Sequence, residues 1–117
     1  MVIETPEYMA DDLCLWMMND SRFFFRYIEP TVLNLARKRV KGIYKKDLAI
    51  KWISRGLIKD AMALYTKQMG APMQLPMKWR EYAAKELLDH NEEWINDLVK
   101  EMRALKKAGK SWTMQNR

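Results

Sequence analysis

Residues 33–59 alternate cationic and apolar side chains at helical spacing, and this pattern limits what the chain can fold into. The segment reads LNLARKRVKGIYKKDLAIKWISRGLIK and contains nine Lys or Arg and one acid, Asp47. Its local charge is therefore +8, whereas the net charge of the whole chain is +6. Apolar residues three and four positions apart predict helices that bury one face and leave the cations on the other. Clustered cations attract polyanions at long range, so the segment also indicates a possible partner.

The positions of Gly and Pro are typical of an all-α protein. The chain has four of each, and all except Gly56, which lies inside an expected helix, are near a point where the helical spacing stops. The expected helices cover residues 7–18, 30–42, 46–69 and 78–107, with a short aromatic turn over residues 22–28. No alternation at period two indicates a strand. The sequence therefore predicts a compact all-α bundle of four to five helices with a long C-terminal helix.

A chain of 117 residues fits one domain. We expect a single helical domain over residues 1–109 and a basic C-terminal tail over residues 110–117 that contains Trp112. Cys14 lies between two leucines in an apolar helical stretch, and we interpret it as a small buried hydrophobic residue. No apolar run approaches the roughly 18 residues that a membrane span needs. Residues 1–20 contain five acids and no Lys or Arg, unlike a secretory signal.

Short motifs are spread over residues 12–94. They comprise Asn19-Asp20, Pro30, Asn34-Leu35, Arg37-Lys38, Gly42-Ile43-Tyr44, Asp47, Ala49, Lys51, Asp60-Ala61, Tyr65, Leu75-Pro76, Arg80, Ala84 and Leu87. This set resembles a family of small uncharacterised helical proteins encoded by bacteriophages and similar mobile elements. The resemblance implies a phage-type origin and a compact helical fold, and it carries over no activity, cofactor or catalytic residue. We expect the protein to act in the host cytoplasm or in the virion. The chain departs from the family pattern in its extra cations around Gly42 and in its extension over residues 95–117.

The basic segment predicts a binding surface made of two helix faces and the turn between them. If a helix begins near Asp47, then Lys51, Arg55 and Lys59 lie four residues apart and share one face. A hairpin-like fold-back would place this face beside the cations that end the preceding helix. The predicted nucleic-acid-binding residues are Arg37, Lys38, Arg39, Lys41, Tyr44, Lys45, Lys46, Lys51, Arg55 and Lys59.

Phosphate contact is better supported here than base reading. A recognition helix places Asn, Gln, Arg or Ser near its N-terminus, whereas residues 47–51 supply one acid, three apolar residues and one Lys. We therefore expect nucleic acid or another polyanion to bind without base-specific readout, with Tyr44 stacking on a base or packing on the backbone.

Two alternatives leave the basic surface without a nucleic-acid partner. The cations could form a solvated face, or they could pair with the protein's own acids, because residues 81–97 hold six acids and one Lys. Such segregated charges could also drive head-to-tail self-association.

A second surface predicts a protein partner. Met73, Leu75, Met77 and Trp79 surround a proline-bounded loop, where an adaptable apolar patch would suit another protein. Together with the last helix, this patch would make the protein a virion or assembly component, or a modulator of a host protein.

The chain has no motif that indicates catalysis. It lacks a Gly-rich phosphate loop and a Gly-x-Ser-x-Gly turn. His90 has Glu86 and Glu93 at helical spacing, but the Glu-x-x-His pattern of di-iron bundles is missing. We expect no enzyme, no cofactor, no metal site, no small-molecule substrate and no membrane partner.

Overall fold

The computed structural model describes residues 5–110, which form helices joined by short turns and contain no strand. The helices are α1 (Pro6–Asn19), α2 (Ser21–Phe23), a π-helical turn (Phe24–Ile28), α3 (Glu29–Val40), α4 (Lys46–Arg55), α5 (Leu57–Met69), α6 (Met77–His90) and α7 (Glu92–Lys107). The predicted all-α class is confirmed. Apart from Lys110, the predicted C-terminal tail lies outside the described residues.

Capping groups explain where the first and third helices begin and end. The hydroxyl of Thr5 accepts a hydrogen bond from the Tyr8 N–H at 3.2 Å, which satisfies a donor that α1 leaves free. Helix α3 ends at Gly42, whose φ of 73° lies in the left-handed region. The N–H of Ile43 donates to the Lys38 carbonyl at 3.0 Å, and the N–H of Gly42 donates to the Arg39 carbonyl at 3.1 Å. This is the Schellman pattern, and it confirms the helix end predicted at Gly42.

Two helices that the sequence predicted to be continuous are broken. Gly56 separates α4 from α5, with φ −110° and ψ −82°. Asn91 separates α6 from α7, and its side-chain amide donates to the Leu87 carbonyl at 2.8 Å. The break at Gly56 also corrects the predicted stripe of cations. Lys59 follows the break, so the four-residue spacing no longer places it on one continuous helical face with Arg55.

The core forms around α6, which packs against α1, α4 and α5, while α3 packs against α7. Its largest fully buried apolar side chains are Leu13, Met17, Ile28, Leu35, Ile53, Ile58 and Ile95. Cys14 is buried beside them, as predicted, and its thiol donates to the Ala83 carbonyl at 3.3 Å. Burial, reinforced by Glu86 and Asp11, raises the pKa of this thiol to about 12.

Among residues 5–110, no helix combines the length and the apolar character that a membrane crossing requires.

Candidate nucleic-acid interface

Arg39 lies on the inner side of the basic segment. Its guanidinium forms two hydrogen bonds to the Glu92 carboxylate, at 3.0 and 2.8 Å, and a third to the Asn96 side-chain oxygen at 2.7 Å. The same group lies 4.5 Å from the centre of the Tyr44 ring. Arg39 therefore joins α3, the following turn and α7, and its contact with nucleic acid stays a prediction.

The ionisation of this pair follows from its geometry. The hydrogen bonds from Arg39 hold the pKa of Glu92 below its ordinary value, and the bond to Glu92 raises the pKa of Arg39. The Arg39 side chain is only 16% exposed, whereas that of Glu92 is 49% exposed. A two-point contact of this kind fixes orientation as well as charge.

Lys46 is the second cation with an internal partner. Its ammonium lies 3.2 Å from a carboxylate oxygen of Asp89, and both side chains are about half exposed. Pairing with the acids of residues 81–97 therefore occurs at Arg39 and at Lys46.

The other cations of the segment have no ion pair with a described residue. They are Arg37, Lys38, Lys41, Lys45, Lys51, Arg55 and Lys59, and all are exposed except Lys38, which is half-buried. On α4, Ala49 and Ile53 face the core, so the helical rotation of 100° per residue directs Lys51 and Arg55 outward. The segment thus has an inner, paired part and an outer, unpaired part.

The outer part also contains exposed apolar side chains. Ile43, Leu48 and Trp52 are 61%, 60% and 50% exposed. Leu48 and Trp52 are four residues apart and lie on the outward face of α4 with Lys51 and Arg55. We call Arg37, Lys38, Lys41, Ile43, Lys45, Leu48, Lys51, Trp52 and Arg55 the outer face.

A groove of about 280 Å³ runs through the outer face, between the end of α3 and α4. Lys38, Lys45 and Trp52 contribute to its walls, and the Lys38 ammonium lies 5.2 Å from the centre of the Trp52 ring. Trp52 also borders a second cavity, of about 190 Å³, beside the break at Gly56. Helix α3 packs mainly on α7 and α4 mainly on α6. At the groove, α3 and α4 approach each other, and Lys38 and Trp52 are in contact there.

Two aromatic residues of the segment differ in how accessible their rings are. Tyr44 is half-buried beneath the Arg39 guanidinium, so that face of its ring is not available to a base. Trp52, which the sequence analysis left out of the predicted binding residues, is half exposed. The spacing of Leu48 and Trp52 beside Lys51 and Arg55 was the sequence signal that could have identified them.

The predicted protein-binding loop does not form an apolar surface. Met73 and Leu75 are buried in the core, at 6% and 2% exposure, so the prediction that they are accessible is wrong. Trp79 is half-buried and packs edge-on against Tyr82 with ring centres 5.1 Å apart. Met77 alone of the four is exposed.

Comparison of the chain with protein-family models, with curated proteins and with solved structures finds no match in any of the three.

Proposed function

We propose that the chain is a non-catalytic protein that binds single-stranded nucleic acid through its outer face, without base-specific readout. The observation that carries the proposal is the half-exposed indole of Trp52, on a helix whose opposite side is buried. The cations around it have no ion pair with a described residue. A phage-type origin and a place in the host cytoplasm or the virion belong to the same proposal, and they rest on the motifs of residues 12–94.

The cations of the outer face supply the attraction to phosphate. Lys and Arg that contact phosphates release condensed counterions, which gives affinity without regard to sequence. Lys45, Lys51 and Arg55 border the same stretch of α4 and have no ion pair with a described residue that phosphate would displace. A strand would therefore gain these contacts without breaking an ion pair between residues 5–110.

The apolar side chains distinguish a single strand from a duplex. Unpaired bases stack on aromatic side chains and pack on apolar ones, whereas a duplex presents mainly phosphate and sugar at its surface. A duplex backbone would offer Ile43, Leu48 and Trp52 no base to pack against. The outward side of α4 also lacks Asn and Gln, the residues that read adenine in the major groove.

The proposal is tested by fluorescence polarisation of a labelled single strand of about 15 nucleotides and of the matching duplex, over a range of salt concentrations. We expect the single strand to bind more tightly, with log affinity falling linearly as log salt rises. Replacing Trp52 by Leu removes the stacking surface, which lowers affinity for the single strand by roughly 5- to 100-fold.

Phe at position 52 is the matched variant, because it keeps an aromatic face and should retain part of the affinity. Equal affinity for single strand and duplex, or unchanged affinity of the Leu variant, would contradict the proposal. Thermal unfolding of each variant shows whether the fold is kept.

A further inference from the structure

A second groove, of about 460 Å³, lies on the part of the molecule formed by the end of α1, the π-helical turn and the second half of α5. We propose that it binds one nucleotide unit, meaning an aromatic base with an adjacent phosphate. This site is independent of the outer face, with which it shares no residue.

The π-helical turn contributes Arg26 and Tyr27 to the groove. The N–H of Glu29 donates to the Phe24 carbonyl five residues earlier, which is the hydrogen bond that defines a π-helical turn. Phe23 and Tyr27 stack with ring centres 4.7 Å apart and an angle of 23° between their planes. Single π-helical turns occur frequently at functional sites.

The walls of the groove are aromatic. Trp16 lies beside Phe23, with ring centres 5.3 Å apart, and the indole N–H donates to the Gln68 side-chain oxygen at 2.6 Å. Trp16 and Tyr27 are half-buried, so each keeps part of its ring accessible above the fully buried Phe23. A flat aromatic base is the ligand that such rings bind best, by stacking.

The rim of the groove is cationic. Arg22, Arg26 and Lys67 line it and are exposed, and none has an ion pair with a described residue. The one acid in the lining, Asp20, is occupied by the protein. One of its oxygens accepts a hydrogen bond from the Phe23 N–H at 2.9 Å, and the other is 3.5 Å from the Gln68 amide nitrogen.

These features together define the ligand. Two arginines and one lysine suit a phosphate, since guanidinium groups bind it with paired hydrogen bonds. The aromatic walls suit a base, and the volume lies within the range of ordinary small-molecule sites. A nucleoside without phosphate would leave the cations unused, and inorganic phosphate would leave the rings unused.

The test is calorimetric titration of the protein with adenosine monophosphate, adenosine and inorganic phosphate, each alone. We expect saturable binding of the monophosphate, at least tenfold tighter than that of either fragment. In a nitrogen–proton NMR spectrum, the indole N–H signal of Trp16 should shift with the same saturation. No saturable binding of the monophosphate, or equal binding of phosphate alone, would overturn the proposal.

Two double variants, one in the groove and one on α7, test whether the groove is the binding site. Arg22→Gln with Arg26→Gln should weaken the monophosphate at least tenfold, while Lys100→Gln with Arg103→Gln, two exposed cations of α7, should leave it unchanged. Equal effects of the two pairs would overturn the proposal. The Trp16 signal of the unaltered protein gives the same information if the groove variant does not fold.

A nucleotide unit can come from solution or from the end of a strand. Competition by a short oligonucleotide with a 5′-phosphate, and no competition by the same strand without it, would identify a strand end as a source. No competition by either would identify the free nucleotide. Both results support the site, and neither depends on the outer face.

Discussion

The inner and outer parts of the basic segment both contain Lys and Arg, but these cations have different surroundings. Arg39, on the inner side, is held by Glu92, Asn96 and the ring of Tyr44. Lys51 and Arg55, on the outer side, have no ion pair with any described residue and lie beside exposed Leu48 and Trp52. A cation held by a carboxylate, an amide and a ring of the protein contributes to the fold, and a cation left in solvent beside an indole remains available to a partner. The total charge of the segment does not show which of its cations are held by the fold and which remain available to a partner.

The largest effect on stability is expected at Arg39. Replacing it by Met keeps most of the apolar stem and leaves Glu92 and Asn96 without their partner. Since Arg39 is largely buried but Glu92 is half exposed, we expect the free energy of unfolding to fall by about 1 to 2 kcal/mol. Urea unfolding measures the change. An unaltered free energy of unfolding would show that the inner pair does not hold the fold.

The pH dependence of this effect has a definite sign. The pKa of Glu92 is lowered in the folded state, so its contribution is complete above its unfolded value of about 4.3 and is lost as the pH falls through the folded pKa. The difference in stability between the native protein and the Met variant should be constant near neutrality and shrink in acid. A difference that grew in acid would exclude the Glu92 pair as its cause.

A smaller effect is expected at Gly42, which ends α3 between Arg39 and the outer face. Its φ of +73° is unfavourable for a residue with a Cβ, although a Cβ there would meet no atom within 4 Å. Replacement by Ala should therefore cost about 1 kcal/mol of stability through backbone strain alone. Asn tolerates this conformation better and should cost less, and a larger cost for Asn than for Ala would contradict this account.

The smallest effect is expected at Lys46. Its pair with Asp89 is about half exposed on both sides, so replacement by Ala should change the free energy of unfolding by less than about 0.5 kcal/mol. Lys45→Ala is the matched control, because its neighbouring ammonium has no ion pair with a described residue. A loss of stability as large as that of Arg39→Met would show that the exposed pair stabilises the fold as much as the largely buried one, and would contradict this account.

The all-α fold could be predicted because apolar spacing and glycine positions are local signals. Gly42 and Gly70 end their helices as the sequence indicated, each with positive φ. The breaks at Gly56 and Asn91 lie inside continuous helical patterns. Asn91 becomes a junction only because its side chain is buried and hydrogen-bonded where α6 meets α7.

The candidate site could be predicted in part. The sequence located the cations but could not say which of them face acids, because that depends on α7 lying beside α3 and α6 beside α4. It left Trp52 out of the predicted binding residues. It also left the groove at the π-helical turn unpredicted, since that groove joins residues 16–27 to residues 64–68.

The salt dependence of single-strand binding tests the division into inner and outer parts most directly. It should be measured for the native protein, for Lys51→Glu with Arg55→Glu, for Lys100→Glu with Arg103→Glu, and for Arg39→Met. The two double variants lower the net charge by the same amount, from +6 to +2, on different helices.

We expect the slope of log affinity against log salt to become shallower by about 1.4 for the α4 variant, because two phosphate contacts on a single strand are lost. The α7 variant and Arg39→Met should keep the native slope when measured where each is folded. Equal slopes for the two double variants would show that net charge alone attracts the strand, and would contradict the assignment of binding to the outer face.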